Sequence, residues 1–401
     1  MTSQIILGNF GGVVIASDTA STNTRSQAVT LDHHKIVDLG PRHRVVVSLA
    51  SSLWQDGIPQ TSVIRQWANS LGEPLVRLED YAQSFRQWHE FGNLQNVELD
   101  SKANVVSCLS DHYGYLAELI NQSGALSEDD DALAEVSDHI AEQTILEIVE
   151  RGLAWLEGLP NYEGFSDDDA GNAIQQLNVD IVREINRSLS PIPLTDHMIE
   201  LLIRSAPLSV ARAQYMPRSS SDLHFVGYGT QDATPAFIEL SNRGTVVNRP
   251  MHFLGDPIRV GAGEEYFRFL VKPIAQDSAI DAFIRGMDGN IAPQIRQYFD
   301  NHYTKSNAFV ASGESVTEID EAWDYADEKI QELTQERFVR RFLDFITNST
   351  VDRLAEVSRT MIEIQKIRSE SELRPTTVGG EVDVVKVTAN GVEWVRGRAA
   401  D

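Results

Sequence analysis

Apolar positions along this chain alternate between two periods. Up to about residue 50 they form short runs. "QIILGN" and "GGVVIASD" read as strands parted by a loose turn over 8–12, and "HKIVDLG" and "HRVVVSLA" as a second pair parted by Gly40 and Pro41. The runs 13–16 and 45–49 are nearly all apolar, the pattern of strands covered on both faces. From about Trp54 the spacing turns helical. Val63, Ile64 and Trp67 share a face, and Gly72 is the expected C-cap. Helical spacing continues to about Tyr215, broken by "PNYEGFSDDDAG" and "LSPIPLT". Strand character returns in "LHFVGYGT", "PAFIELSNRG" and "TVVNRP", with "SNRG" as the expected hairpin turn. From "FRFLVKPI" to about Ser369 the expectation is helix again, clearest where Leu354, Ala355, Met361 and Ile362 share a stripe. "GGEVDVVKVTANGVEWV" reads as two strands joined across Asn390-Gly391, the strongest short hairpin signal.

Strands separated by helical blocks, with hairpins inside each β block, predict an α+β fold with two largely antiparallel sheets and helices outside them. Neither terminal β block makes a domain alone. The expectation is one domain over 1–401 with a helical insertion at 73–215 and a second at 285–345.

Composition narrows the function. A hydrophobic content of 42% marks a globular chain. A formal charge of -25 leaves no basic footprint for nucleic acid and disfavours anionic membranes. Cys108 is the sole cysteine, so an intramolecular disulfide and a thiolate zinc cluster within the chain are excluded, which fits a reducing cytoplasm. There is neither a basic segment followed by a long apolar stretch at the start nor any run of about 18 apolar residues, so neither secretion nor a membrane span is expected. His33 and His34 are adjacent and on a strand would face opposite ways, so no metal site is expected there. "SEDDD" at 127–131 and "SDDDAG" at 166–171 lack calcium-loop spacing and read as acidic helix starts. No cofactor is expected.

Four stretches, in order, carry a resemblance to a known family. They are "GGVVIASD", "HKIVDLGPRHRVVVSLAS", "FVGYGTQDATPAFIELSNRGTV" and "TVGGEVDVVKVTANGVEWV". Together they resemble the proteasome β-subunit superfamily of N-terminal-nucleophile (Ntn) hydrolases, nearest to stand-alone bacterial members of the HslV and Anbu type. The resemblance implies a four-layer αββα sandwich. It implies that Thr2, freed by removal of Met1, is the nucleophile, with its own α-amine as the base; that amine titrates near pH 7.7–8.0 in model peptides. Asp18 resembles the family's acidic residue and Lys35 its lysine. Ala50 is the best match for the backbone oxyanion donor, with Ser51 next, although the family usually has glycine there. Three supporting polar positions depart from the family: Ala262, Pro375 and Val378 stand in their place, and Ser17 or Ser48 are candidate replacements.

The activity so implied is a threonine-dependent peptidase or amidase acting on peptide or protein through an acyl-enzyme. A homo-oligomeric ring or stacked assembly is implied with it, and an unfoldase partner is left open. Two alternatives stand beside it: a catalytically degenerate scaffold that binds partners through its insertions, and a small-molecule Ntn amidase.

Overall fold

The computed structural model describes residues 2–22, 29–90, 101–123, 134–212, 220–261, 268–275, 277–286, 291, 295, 316–371 and 378–396. The chain opens with β1 (Ser3–Asn9) and β2 (Gly12–Asp18), a short hairpin β3 (Ser21–Thr22) and β4 (Val29–Thr30), then β5 (Ile36–Asp38) and β6 (Arg44–Ser51). A second short hairpin, β7 (Trp54–Gln55) and β8 (Ile58–Pro59), leads into helices α1 (Gln60–Ser70), α2 (Leu78–Glu90), α3 (Ser101–Gln122), α4 (Ala134–Gly158), α5 (Asp167–Gln176), α6 (Ile181–Leu189) and α7 (Asp196–Ala211). Strands β9 (Ser221–Tyr228), β10 (Ala236–Val246), β11 (Arg249–Leu254), β12 (Ile258–Arg259) and β13 (Leu270–Ala275) follow. Helices α8 (Ser278–Arg285), Val316–Thr334, Arg340–Asn348 and Val351–Ser371 precede the closing hairpin of β14 (Val382–Thr388) and β15 (Gly391–Arg396).

Two antiparallel sheets organise these elements. The first has the order β13-β1-β2-β14-β15 and the second β11-β10-β9-β6-β5, with β12 also on β10. Ile6, Val13, Ile15, Val385 and Val387 of the first sheet meet Val46, Val226, Tyr228 and Phe237 of the second. On the outer face of the second sheet, Trp67, Tyr81 and Phe85 of α1 and α2 cover Val45, Val47 and Phe225. On the outer face of the first, Ile280, Leu354 and Ile362 cover Ile5, Leu7, Val14 and Ala16. The layers therefore run helix, sheet, sheet, helix. This explains the unbroken apolar runs: Val13 and Ile15 face the other sheet while Val14 and Ala16 face helices, so β2 is buried on both sides.

Helices α3 to α7 build their own core around Tyr113, Leu116, Ile145 and Leu202, joined to the second sheet at Val246 and Met251. Because α2 belongs to the layer over the sheet, this separate cluster starts at α3. "SDDDAG" is the acidic helix start that was expected, and Ser166 caps α5 there through a capping box with Asp169. Much of the second expected insertion, and the stretch 127–131, fall outside the described residues.

Three local expectations are corrected. "LVKPIA" is strand β13, not helix: it pairs with the free edge of β1, burying Leu270 and Ile274, and Pro273 is tolerated because the strand lies at the sheet edge. "SNRG" is not a hairpin turn. Strand β10 runs through it with a register shift between Asn242 and Thr245, where Gly244 has φ 89°; the chain reverses at Val247 and Asn248, both at positive φ. Helix α1 ends in extended backbone at Leu71, so Gly72 supplies no left-handed cap.

Candidate active site

Asp18 ends β2 and Lys35 directly precedes β5. The register between β1 and β2 pairs Gln4 with Ser17, which brings Ser3 beside Asp18. The Ser3 N–H donates to Asp18 Oδ1 at 2.9 Å, and the Lys35 ammonium donates to the same oxygen at 2.6 Å. Asp18 Oδ2 accepts the N–H groups of Gly379 at 3.1 Å and Ala20 at 3.3 Å. Both charged side chains are fully buried. One carboxylate thus joins the residue after Thr2, the lysine and the approach to the closing strand.

Burial pushes the Lys35 ammonium below its usual pKa, opposed first by Asp18 and more weakly by Asp383. Breaking such a buried pair by removing one partner costs about 3–5 kcal/mol, because the remaining charge is left uncompensated. Gly380 allows the close approach of this segment. Its φ is 72°, and a Cβ there would stand 2.3 Å from Thr19 Oγ1 and 2.6 Å from the Leu31 carbonyl.

Thr2 is buried, with 2% of its surface exposed, immediately before β1. The β1 strand is tied to the second sheet by Gln4 Nε2, which donates to the Leu49 carbonyl at 2.5 Å. The Leu49 N–H donates to the Lys35 carbonyl at 2.9 Å. The Leu49 backbone therefore faces the edge where Lys35 and β1 lie.

That orientation separates Ala50 from Ser51. Backbone donors alternate sides along a strand. Ala50 is paired with Asp222, and the Ser52 N–H donates to the Ser220 carbonyl at 2.9 Å, so Ala50 and Ser52 direct their N–H groups toward β9. By the same alternation the Ser51 N–H points away from β9, to the side of β6 on which the Leu49 N–H meets Lys35. Ser51 also has φ 60°, in the left-handed region that favours glycine. Of the two candidates, Ser51 thus has the glycine-like backbone, and Ala50 belongs to the ladder. Ser17 donates its hydroxyl to the Asp18 carbonyl at 3.0 Å. Val378 is a fully buried apolar side chain; Ala262 and Pro375 lie outside the described residues.

Around the expected Ser17 and Ser48 the structure adds Gln4, His224 and Asp383, to which the sequence assigned no role. Gln4, Ser17 and Asp383 form one row across β1, β2 and β14. By the strand alternation all three lie on the same face as Ile6, Ile15 and Val385, the face turned to the second sheet. Across from them Ser48 pairs with His224, Oγ to Nδ1 at 3.5 Å. Asp383 is fully buried and its Oδ2 lies 2.7 Å from His34 Nδ1. Burial pushes the Asp383 carboxyl up, partly offset by His34. One signal was available: Asp383 is the single acid inside "VDVVKV", and the next positions by twos, Val385 and Val387, are apolar.

No family model matches this chain, and no curated protein matches it. Among the described residues there is no group of three or more His, Cys, Asp or Glu side chains placed to hold a metal ion. No described helix is long and apolar enough to cross a membrane.

Proposed function

We propose that this protein is a threonine-type Ntn hydrolase acting on peptide or amide bonds, with Thr2 as its nucleophile after cleavage of the Met1–Thr2 bond. The observation that carries the reading is the Asp18 carboxylate, which holds both the Ser3 N–H next to Thr2 and the buried Lys35 ammonium. The four-layer arrangement and the resemblance of the strand sequences support it.

In this reading the Thr2 α-amine takes the hydroxyl proton as Oγ attacks the carbonyl carbon, then delivers it to the leaving amine. An ester on Thr2 Oγ results, and water releases the acid. Lys35 supplies positive charge that favours the ionised oxygen, with Asp18 fixing its position. The Ser51 N–H is the donor for the developing oxyanion.

The intact mass of the purified protein tests the first requirement. Loss of the Met1 residue mass is expected, and retention of Met1 refutes the mechanism, since the Thr2 amine then stays in a peptide bond. A threonine-directed epoxyketone or boronate is expected to label the protein, and Thr2→Ala to abolish labelling, a loss of at least about 10³-fold. The competing scaffold reading is favoured by one observation: Val378, where the resemblance calls for serine, is apolar and fully buried. Met1 removal without labelling supports the scaffold.

A further inference from the structure

Asp222, the second residue of β9, lies outside the Asp18–Lys35 pair and belongs to no motif of the resemblance. Its carboxylate collects hydroxyl donors from three segments. Ser51 at the end of β6 donates to Oδ2. Ser220, just before β9, donates to Oδ1 at 3.1 Å, and Ser241 of β10 donates to the same oxygen at 2.9 Å. The strand ends are also clamped at Ser221, whose hydroxyl donates to the Ser52 carbonyl at 2.6 Å.

Ser51 is the residue most in need of such a hold. A side chain at φ 60° is disfavoured for any residue with a Cβ, and the conformation persists only when its surroundings impose it. Serine has a short polar side chain that a neighbouring carboxylate can grip. Gly would adopt the same backbone without a grip.

We propose that Asp222 is a positioning residue: by binding the Ser51 hydroxyl it fixes the left-handed backbone at Ser51 and so aims the Ser51 N–H toward Lys35 and the start of β1. The functional consequence rests on the Ntn reading above; the conformational one does not. Asp222 and Ser51 together do the work that a glycine would do alone. A sequence comparison position by position misses this, because the compensating residue lies on another strand.

The test is a pairwise cycle read by epoxyketone labelling of the full chain. Asp222→Ala is expected to lower the maximal labelling rate about tenfold while the inhibitor's half-saturating concentration stays within about twofold, because the donor is misaimed and binding is not. In the Ser51→Gly background, whatever its own rate, adding Asp222→Ala is expected to change the labelling rate by no more than about twofold. An equal fall in both backgrounds overturns the proposal, as does a fall confined to the half-saturating concentration. Should Asp222→Ala not fold, Asp222→Asn gives the same cycle with a smaller first step. A crystal structure of the variant supplies the readout that is independent of activity. Residue 51 is expected to leave the region near φ 60° when Asp222 is replaced, and its staying there overturns the proposal. If the parent protein is never labelled, the Ntn reading falls while this conformational arm still decides the role of Asp222.

Discussion

The space between the two sheets has two unlike ends. At one, Ile6, Val13, Ile15, Val385 and Val387 interlock with Val46, Val226 and Tyr228. At the other, the same strands turn Gln4, Ser17 and Asp383 toward Ser48 and His224. The apolar end is an ordinary close-packed core. The polar end is costly: Gln4 Oε1 and Asp383 Oδ1 are buried with no hydrogen-bond partner among the described residues. An unsatisfied buried polar group costs about 1–3 kcal/mol, whereas an apolar residue of similar shape there would cost little. Strands able to pack valine and isoleucine throughout instead place polar groups beside Thr2, Asp18 and Lys35. In the proposed reading that conflict is kept for chemistry, with the remaining core supplying the stability.

The sharpest way to break this contrast is Asp18→Ala, which strands the Lys35 ammonium. Urea unfolding should show a loss of about 3–5 kcal/mol, and adding Lys35→Met should recover much of it. If Asp18→Ala unfolds like the parent, the pair is not buried as described.

Acid separates the ends next. Burial holds His224 at about 4, with Asp222 opposing the shift and Lys272 adding to it, and burial holds His89 at about 4 as well. The ordinary value is 6.5, so between pH 6.5 and 4 the unfolded chain binds protons that the folded chain refuses. Stability therefore rises with pH across this window and is lost as pH falls through it, by about 1.4 kcal/mol per pH unit for each such histidine. His224→Gln should flatten the slope by about one histidine's share, measured as unfolding midpoints from pH 7 to 4. An unchanged slope would mean that His224 titrates normally.

The smallest expected effect belongs to the apolar end. Ile15→Val removes one methylene and should cost about 0.5–1.5 kcal/mol with no change in Thr2 labelling. A comparable change in labelling would show that the two ends are mechanically coupled.

Much of this was legible in the sequence because it is local. The doubly buried strands β2 and β6 follow from unbroken apolar runs, and the β14–β15 hairpin from Asn390-Gly391. The Asp18 and Lys35 contact was also anticipated, through the resemblance. What escaped depends on register or on backbone conformation. β13 was missed because Lys272 and Pro273 interrupt its pattern, and only the free edge of β1 makes it a strand. Asp383 reads as an acid in a strand until its pairing with Ser17 shows which face it takes. The preference for Ser51 over Ala50 needs the pairing of β6 with β9 and a positive φ, neither of which composition encodes.

The Asp18 carboxylate has one further property. It draws its donors from Ser3 and from Gly379, 361 residues away, and β14 lies between β2 and β15. Chains emerge from the ribosome from the N-terminus, at about 5–20 residues per second. For most of synthesis Asp18 therefore has no closing strand beside it, and β2 has an open edge. The donor set around Asp18 is completed only once the segment leading into β14 is made. In the proposed reading, a chain still short of residue 379 lacks one of the donors that hold Asp18, and with it the completed site.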